Sequence, residues 1–184
     1  MALRHSYHGR SYLVASLTAQ ASWRVDGTPA PGIAFLPNAY CYRCPFGLSY
    51  PDCGVRCATA AEELIQTTTS GQVAALIAEP IQGVGGIITP PPEYFKIIKG
   101  ILEKYGILFI SDEVQTGFGR TGGKMFGIEQ YGVEPDMMTM AKGIANGIPC
   151  GAYITRPEIA DSLQAPTINT FGGNPLSSTA AIAT

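Results

Sequence analysis

The sequence has few charged residues, no long apolar run and no phosphate-binding loop of the GxxxxGK type. Charged residues make up 14% of the 184 residues, well below the usual level of about a quarter, so we expect further chain or a second subunit to cover much of the surface. The net charge of −2 favours neither nucleic acid nor a membrane as a partner. No window has the length of a membrane-spanning helix, and GVGG at 83–86 is too short for a dinucleotide fingerprint.

What the chain does contain is enough apolar sequence, 46% of its residues, for one globular domain with a core. Residues 11–60 are rich in proline and glycine and predict surface loop with short strands. Further on, the pattern predicts helices over 61–67, 94–105 and 157–163, strands over 73–78, 107–110, 137–140 and 151–155, and a last helix capped by Asn174. A strand, a helix and a strand within about forty residues form a βαβ unit. The fold class is therefore α/β, with a mostly parallel sheet and flanking helices.

Three chemically useful side chains follow three of these predicted strands. Glu79 follows the first strand, Asp112 the second and Lys142 the third. Ligands of open α/β sheets bind beyond the carboxyl ends of the strands. We therefore expect these side chains to converge on one edge of the sheet.

Lys142 and Asp112 together are the two parts that a pyridoxal phosphate enzyme needs. The lysine forms an imine with the cofactor aldehyde, and the acid keeps the pyridine nitrogen protonated so that the ring accepts electrons. An aspartate after a strand is more often a helix cap or turn residue. Lys142, however, lies among Ala141, Gly143 and Ile144, and we expect it to be buried, with a lowered pKa or a covalent partner.

The neighbours of Asp112 fit the same cofactor. Val114, two residues on, shares its face if the strand continues and could press on the flat of a ring, while Gln115 could donate a hydrogen bond to a phenolic oxygen. In HSYHGR, Tyr7 offers a flat stacking surface. His5 and His8 lack an accompanying acid cluster, so we assign them no metal.

Four of the five cysteines form C-x2-C-x8-C-x3-C: Cys41, Cys44, Cys53 and Cys57. The two pairs resemble a compact zinc site, although the spacer of eight is shorter than in common zinc modules. A disulfide framework requires an oxidising compartment. Packing roles in a loop are the remaining alternative, and on sequence alone no metal ligand is assigned.

Five motifs in order, HSYHGR, AEPIQGVGG, ISDEVQTGFGRTG, PDMMTMAKGIANG and NTFGGNP, resemble the class III pyridoxal phosphate aminotransferases, in particular the alanine–glyoxylate aminotransferase 2-like branch. The resemblance implies the fold-type-I transferase fold, with a seven-stranded, mostly parallel sheet in a large domain, and a homodimer with a shared active site.

The resemblance also implies roles for individual residues. Lys142 is the internal aldimine lysine and carries the proton between the substrate α-carbon and the cofactor. Asp112 binds the pyridine nitrogen, Val114 and Tyr7 cover the two ring faces, and Gln115 binds the phenolic oxygen. One further residue, Thr170, reaches the phosphate of the neighbouring subunit's cofactor.

Two departures from the family pattern matter. Relatives acting on ω-amino groups often carry a glutamate at the position of Val84, where it neutralises a substrate-binding arginine. The valine found here resembles the glyoxylate-type branch instead. The family's upstream phosphate-binding turn and its carboxylate-binding arginine in a C-terminal small domain have no counterpart, so residues 1–184 are expected to be a partial large domain. We expect this piece alone to be poorly active or inactive.

The function expected is transfer of an amino group from an alanine-like α-amino acid to a glyoxylate- or pyruvate-like 2-oxo acid. The alternatives are an aminomutase, racemase or decarboxylase on the same scaffold, a non-catalytic fragment, or a metal-binding cysteine module. The compartment stays open: cytoplasm in a bacterium, with mitochondria also possible in a eukaryote.

Overall fold

A computed structural model describes residues 1–25 and 27–184. Its centre is a six-stranded sheet in the order β2-β1-β3-β4-β5-β6. The strands are β1 (Ala2–Leu3), β2 (Phe35–Leu36), β3 (Ala75–Ala78), β4 (Leu108–Asp112), β5 (Met137–Met140) and β6 (Ala152–Thr155). Neighbouring strands from β2 to β5 run parallel, and β6 is antiparallel to β5.

The described residues also form five α-helices and four short 3₁₀ turns. The helices are α1 (Tyr12–Leu17), α2 (Arg56–Thr68), α3 (Tyr94–Lys104), α4 (Pro157–Ala160) and α5 (Pro175–Ala183). The 3₁₀ turns are Ala21–Trp23, Cys41–Arg43, Gly127–Tyr131 and Lys142–Ala145. No helix in the described residues combines the length and apolar character that a membrane span requires.

The core lies where α2 and α3 pack together on one face of the sheet. On α3, Tyr94, Phe95, Ile98 and Leu102 are buried, the spacing that one apolar helix face produces. The ring of Phe95 stacks 5.7 Å from that of Phe109 on β4. This packing fixes β4, whose far end carries Asp112.

The α/β class, the βαβ unit and the strand over 137–140 are confirmed. The predicted cap is also confirmed, since the Asn174 side chain accepts a hydrogen bond from the Ser177 N–H at 3.0 Å. The sheet of this chain has six strands, whereas the resemblance implies seven for the complete domain.

Several predicted boundaries are wrong. Strand β4 extends to Asp112, which is its last residue rather than the one after it. Helix α2 begins at Arg56 rather than 61, and α4 ends at Ala160 rather than 163. Strand β1 was not predicted, because two residues are too short to show a period-2 pattern.

Candidate active site

Asp112 is a buried carboxylate with two defined partners. It is 5% exposed. Its Oδ2 lies 2.7 Å from Nδ1 of His8, whose side chain is fully buried, and its Oδ1 accepts a hydrogen bond from the Val114 N–H at 3.1 Å. Because a carboxylate accepts, His8 donates through Nδ1. The pair fixes the orientation of the Asp112 carboxylate at the end of β4.

His8 is the residue that sequence reasoning missed. It was considered only as a metal ligand, whereas the structure pairs it with an acid 104 positions away. Its second ring nitrogen, Nε2, is buried and has no hydrogen-bond partner among the described residues. Nothing in the local sequence HSYHGR distinguishes His8 from the exposed His5, so no sequence signal was available.

Glu79 is a second buried acid at the same edge. Its Oε1 accepts the Tyr7 N–H at 3.0 Å and its Oε2 accepts the Gly83 N–H at 2.9 Å. Burial raises the pKa of Glu79; these two hydrogen bonds and His8 oppose the rise, and the charge of Asp112 adds to it. Glu79 therefore lies close enough to His8 and Asp112 to interact with both electrostatically, as the order of the predicted strands indicated. Its two hydrogen bonds also connect the HSYHGR motif to the glycine turn after β3.

Glu113, next to Asp112, has a different task. It is 1% exposed, and it accepts hydrogen bonds from the backbone N–H groups of Gly127 and Ile128 at 2.8 and 2.9 Å. The hydroxyls of Ser111 and Thr116 donate to the same carboxylate. All of its partners belong to the chain, so Glu113 holds the Gly127–Tyr131 turn against β4 and has no free oxygen for a ligand.

Lys142 opens the Lys142–Ala145 turn, two residues beyond the end of β5. The expectation that it is buried is wrong: its side chain is exposed. The apolar residues of the turn, Ile144 and Ala145, are the ones that are buried, so the turn directs its apolar part inward and leaves the ammonium in solvent. Its φ of 47° is left-handed, a conformation that costs energy in a lysine. Within the described residues it forms neither a hydrogen bond nor an ion pair.

The sheet brings Lys142 to the edge that Asp112 occupies. Strands β4 and β5 are adjacent and parallel, and Asp112 pairs with Thr139, three residues before Lys142. The loop after Asp112 also touches the lysine turn, since a Cβ built on Gly143 would lie 3.9 Å from the side chain of Phe118. The predicted convergence of Glu79, Asp112 and Lys142 on one edge therefore follows from the observed topology.

The remaining predicted residues surround this edge at different depths. Val114 and Gln115 are half-buried, and Gln115 occupies the space beside Gly83, where an added Cβ would lie 2.2 Å from its Nε2. Tyr7 is half-buried and meets Trp23 edge to face, with ring centroids 5.4 Å apart. Thr170 is exposed in the turn before α5, and within the described residues no side-chain hydrogen bond joins it to the other predicted residues.

The side chains at this edge of the sheet fit pyridoxal phosphate. A ring nitrogen requires a buried, oriented acid, which Asp112 provides, and an aldehyde requires an amine without a competing partner, which Lys142 provides. The Nδ1 of His8 holds the Asp112 carboxylate at 2.7 Å, while its Nε2 has no partner among the described residues. Gly83 keeps room for the Gln115 amide at the same edge.

Comparison with known proteins gives a consistent result. The model of the family described as "Aminotransferase class-III" matches residues 1–184. A leucine/methionine racemase from Thermococcus litoralis is 43% identical over 97% of this chain and 41% of its own length. Alanine–glyoxylate aminotransferase 2 homolog 2, mitochondrial, from Arabidopsis thaliana is 42% identical over 100% of this chain and 37% of its own length.

Among solved structures, an amine transaminase from an uncultivated Pseudomonas species, in its PLP-bound form, superposes with a TM-score of 0.91 at 36% identity. The match covers 99% of this chain and 43% of that one. The chain thus spans less than half the length of the relatives it matches. Its mostly parallel sheet with flanking helices has the fold of part of the large domain in such transaminases.

Proposed function

This chain belongs to the class-III aminotransferase family, and from that premise we propose that the protein containing it is a transaminase. The proposed reaction moves an amino group from an alanine-like α-amino acid to a glyoxylate- or pyruvate-like 2-oxo acid. The observation that carries the proposal is the buried Asp112 carboxylate, oriented by His8 and Val114, at the sheet edge that it shares with the exposed amine of Lys142.

The cofactor of this family is pyridoxal phosphate. When bound, it supplies an aldehyde carbon that reacts with primary amines and a ring that accepts electrons. Asp112 is proposed to hold the proton on the ring nitrogen. Burial at 5% exposure strengthens that charge interaction, because water does not screen it. His8 keeps the carboxylate in one orientation and shares its negative charge through the Nδ1 hydrogen bond.

Lys142 is the proposed catalytic residue. Its amine would hold the aldehyde carbon when no substrate is present, and would afterwards be free to take the proton from the substrate α-carbon and return it elsewhere. The exposed position of the side chain leaves it accessible to both partners. Its place on a short turn directly after β5 anchors it to the same sheet as Asp112.

Four further residues are proposed to bind and orient the cofactor. Val114 and Tyr7 would cover the two faces of the ring, and Gln115 would donate to the phenolic oxygen. Thr170, exposed in the turn before α5, would bind the phosphate in a second subunit. That role requires a homodimer with a shared active site.

Val84 supports an α-amino acid as the donor. It is half-buried in the turn that Glu79 holds and cannot form an ion pair with a substrate-binding arginine. The arginine would then be free to bind the α-carboxylate of an amino acid such as alanine.

A racemase is the second candidate function, because one relative at 43% identity is a leucine/methionine racemase. Both reactions begin by removing the α-proton and use the same Lys142 and Asp112. They differ in where the nitrogen goes: a racemase returns it to product, whereas a transaminase leaves it on the cofactor.

One experiment separates these functions. The protein containing this chain is loaded with pyridoxal phosphate and mixed with L-alanine in the absence of any 2-oxo acid. A transaminase releases one pyruvate per cofactor and converts the cofactor to its pyridoxamine form. Appearance of D-alanine without pyruvate would replace the proposal with the racemase. If neither D-alanine nor pyruvate appeared, both functions would be rejected for this donor.

A further inference from the structure

Four cysteines outside the proposed active site meet in one place. Cys41, Cys44, Cys53 and Cys57, here called the thiol cluster, line a single cavity of about 10 Å³, a volume close to that of one water-sized sphere. All four are free thiols. We propose that the thiol cluster binds one thiophilic divalent metal ion, of which Zn²⁺ is the example, with all four sulfurs as ligands.

Two separate chain segments contribute to the cluster. Cys41 and Cys44 flank the Cys41–Arg43 turn, while Cys53 precedes α2 and Cys57 lies in its first turn. The spacing of two residues in one pair and three in the other suits ligation of one ion by each pair. The fold supplies what the spacing alone does not, because it brings both pairs to the same cavity.

The thiols of the cluster lie close enough together to raise one another's pKa. Burial raises the pKa of Cys41, and Cys53 and Cys44 raise it further. Burial raises the pKa of Cys57 to about 11, with Cys41 adding to the shift and the N–H groups at the start of α2 opposing it. Thiols that disfavour one another's ionisation are poor nucleophiles. A metal ion binds such thiols only by displacing their protons, so its affinity for the cluster should fall as the pH is lowered.

Binding requires the thiols to move. As they stand, no three His, Cys, Asp or Glu side chains among residues 1–25 and 27–184 are placed to hold a metal ion together. Cys57 is buried, Cys44 and Cys53 are half-buried and Cys41 is exposed. Tetrahedral Zn–S distances of about 2.3 Å therefore require the exposed Cys41, and at least one of the other three thiols, to turn toward the cavity.

The position of the cluster indicates a structural role. Asn38, which also lines the cavity, donates from its side chain to Gln82 at 3.1 Å, and Gln82 donates to the Arg4 carbonyl at 2.9 Å. A bound ion would fasten the loop over 41–57 to the start of α2. Through Asn38, it would also brace the segment between Glu79 and the glycine turn.

The test uses the reduced, metal-free protein, titrated without oxygen with Co²⁺ and then with Zn²⁺. We expect one Co²⁺ per chain with the strong visible and sulfur-to-metal absorption of a tetrahedral thiolate site, and its displacement by one Zn²⁺. The paired variant C41S/C53S should lose the ion entirely. The matched control Cys150→Ser, which changes the fifth cysteine, should keep it.

A second measurement needs only the unaltered sequence, so it remains decisive if the variants do not fold. Bound Zn²⁺ should protect all four cluster cysteines, including the exposed Cys41, from alkylation, while Cys150 reacts at an unchanged rate. No protection with no Co²⁺ absorption would overturn the proposal. The proposal would also be overturned if the reduced protein took up no metal and instead formed disulfides within the cluster on exposure to peroxide. Each disulfide would transfer two hydrogens from the thiols to peroxide.

Discussion

The two halves of the proposed active site are built in opposite ways. The acid half, with Asp112, His8 and Glu79, is buried, and each carboxylate oxygen has a partner. The amine half contains Lys142 and Thr170, which are exposed and make no side-chain hydrogen bond to any residue that the structure describes. None of residues 151–184 is buried. The chain by itself therefore preorganises the acid and leaves the amine to be positioned by what it binds.

Because of this difference, we expect substitutions in the two halves to affect different properties, stability in one half and reactivity in the other. Substitutions in the acid half should lower the free energy of unfolding, because they leave buried groups without partners. Substitutions in the amine half should leave folding nearly unchanged while removing reactivity.

Glu113→Ala should be the most destabilising of these changes. It removes a buried acceptor and leaves the N–H groups of Gly127 and Ile128 unpaired, at a cost of roughly 3–5 kcal/mol. Denaturant unfolding measures this. Glu129→Ala is the matched control, because Glu129 is exposed and accepts one N–H, from Phe126; it should cost about 1 kcal/mol or less. Equal losses for the two variants would contradict the assignment of Glu113.

His8→Ala should cost about 2 kcal/mol, because the buried Asp112 carboxylate loses its 2.7 Å donor. His8→Asn is the sharper comparison, since its amide nitrogen can take the place of Nδ1 and recover part of the loss. Chemical unfolding of both variants measures the difference. If alanine and asparagine were equally destabilising, packing rather than the hydrogen bond would explain the role of His8.

Asp136→Asn tests a structural acid away from the site. Burial alone would raise the pKa of Asp136, but the Phe109 N–H together with Lys99 and Arg156 outweighs it and lowers the pKa. Stability from a lowered pKa is present above the unfolded value of about 3.9 and is lost as pH falls through the folded value. The variant should therefore be about 1 kcal/mol less stable at neutral pH, and the gap should shrink below about pH 4. A gap independent of pH would contradict this account.

Lys142→Ala should change the free energy of unfolding by about 0.5 kcal/mol or less, since the side chain has no partner to lose. Replacing a left-handed lysine leaves the backbone strain unchanged, because alanine has the same steric limits. Thermal unfolding without cofactor checks this. A loss of several degrees in Tm would mean that the lysine packs against the fold.

Part of this arrangement could be predicted from the sequence and part could not. Helix α3 and strand β5 carry clear local patterns, so their existence and the sheet edge they define were predictable. The His8–Asp112 pair was not, because its partners are 104 positions apart and local spacing carries no signal for such a contact.

The exposure of Lys142 was mispredicted for a related reason. Small neighbours, Ala141 and Gly143, suggested a buried lysine, but the left-handed turn buries Ile144 and Ala145 instead. The direction of a side chain at a turn depends on backbone dihedrals that flanking residue types do not specify.

The most direct test of the central claim is to add pyridoxal phosphate to this chain, reduce with borohydride and map the labelled peptides by mass spectrometry. The account predicts label on Lys142, its loss in Lys142→Ala, and an unchanged pattern in the matched exposed-lysine variant Lys124→Ala. Label spread over Lys96, Lys99, Lys104 and Lys124, unaffected by Lys142→Ala, would contradict the claim that Asp112 and Lys142 form one cofactor site.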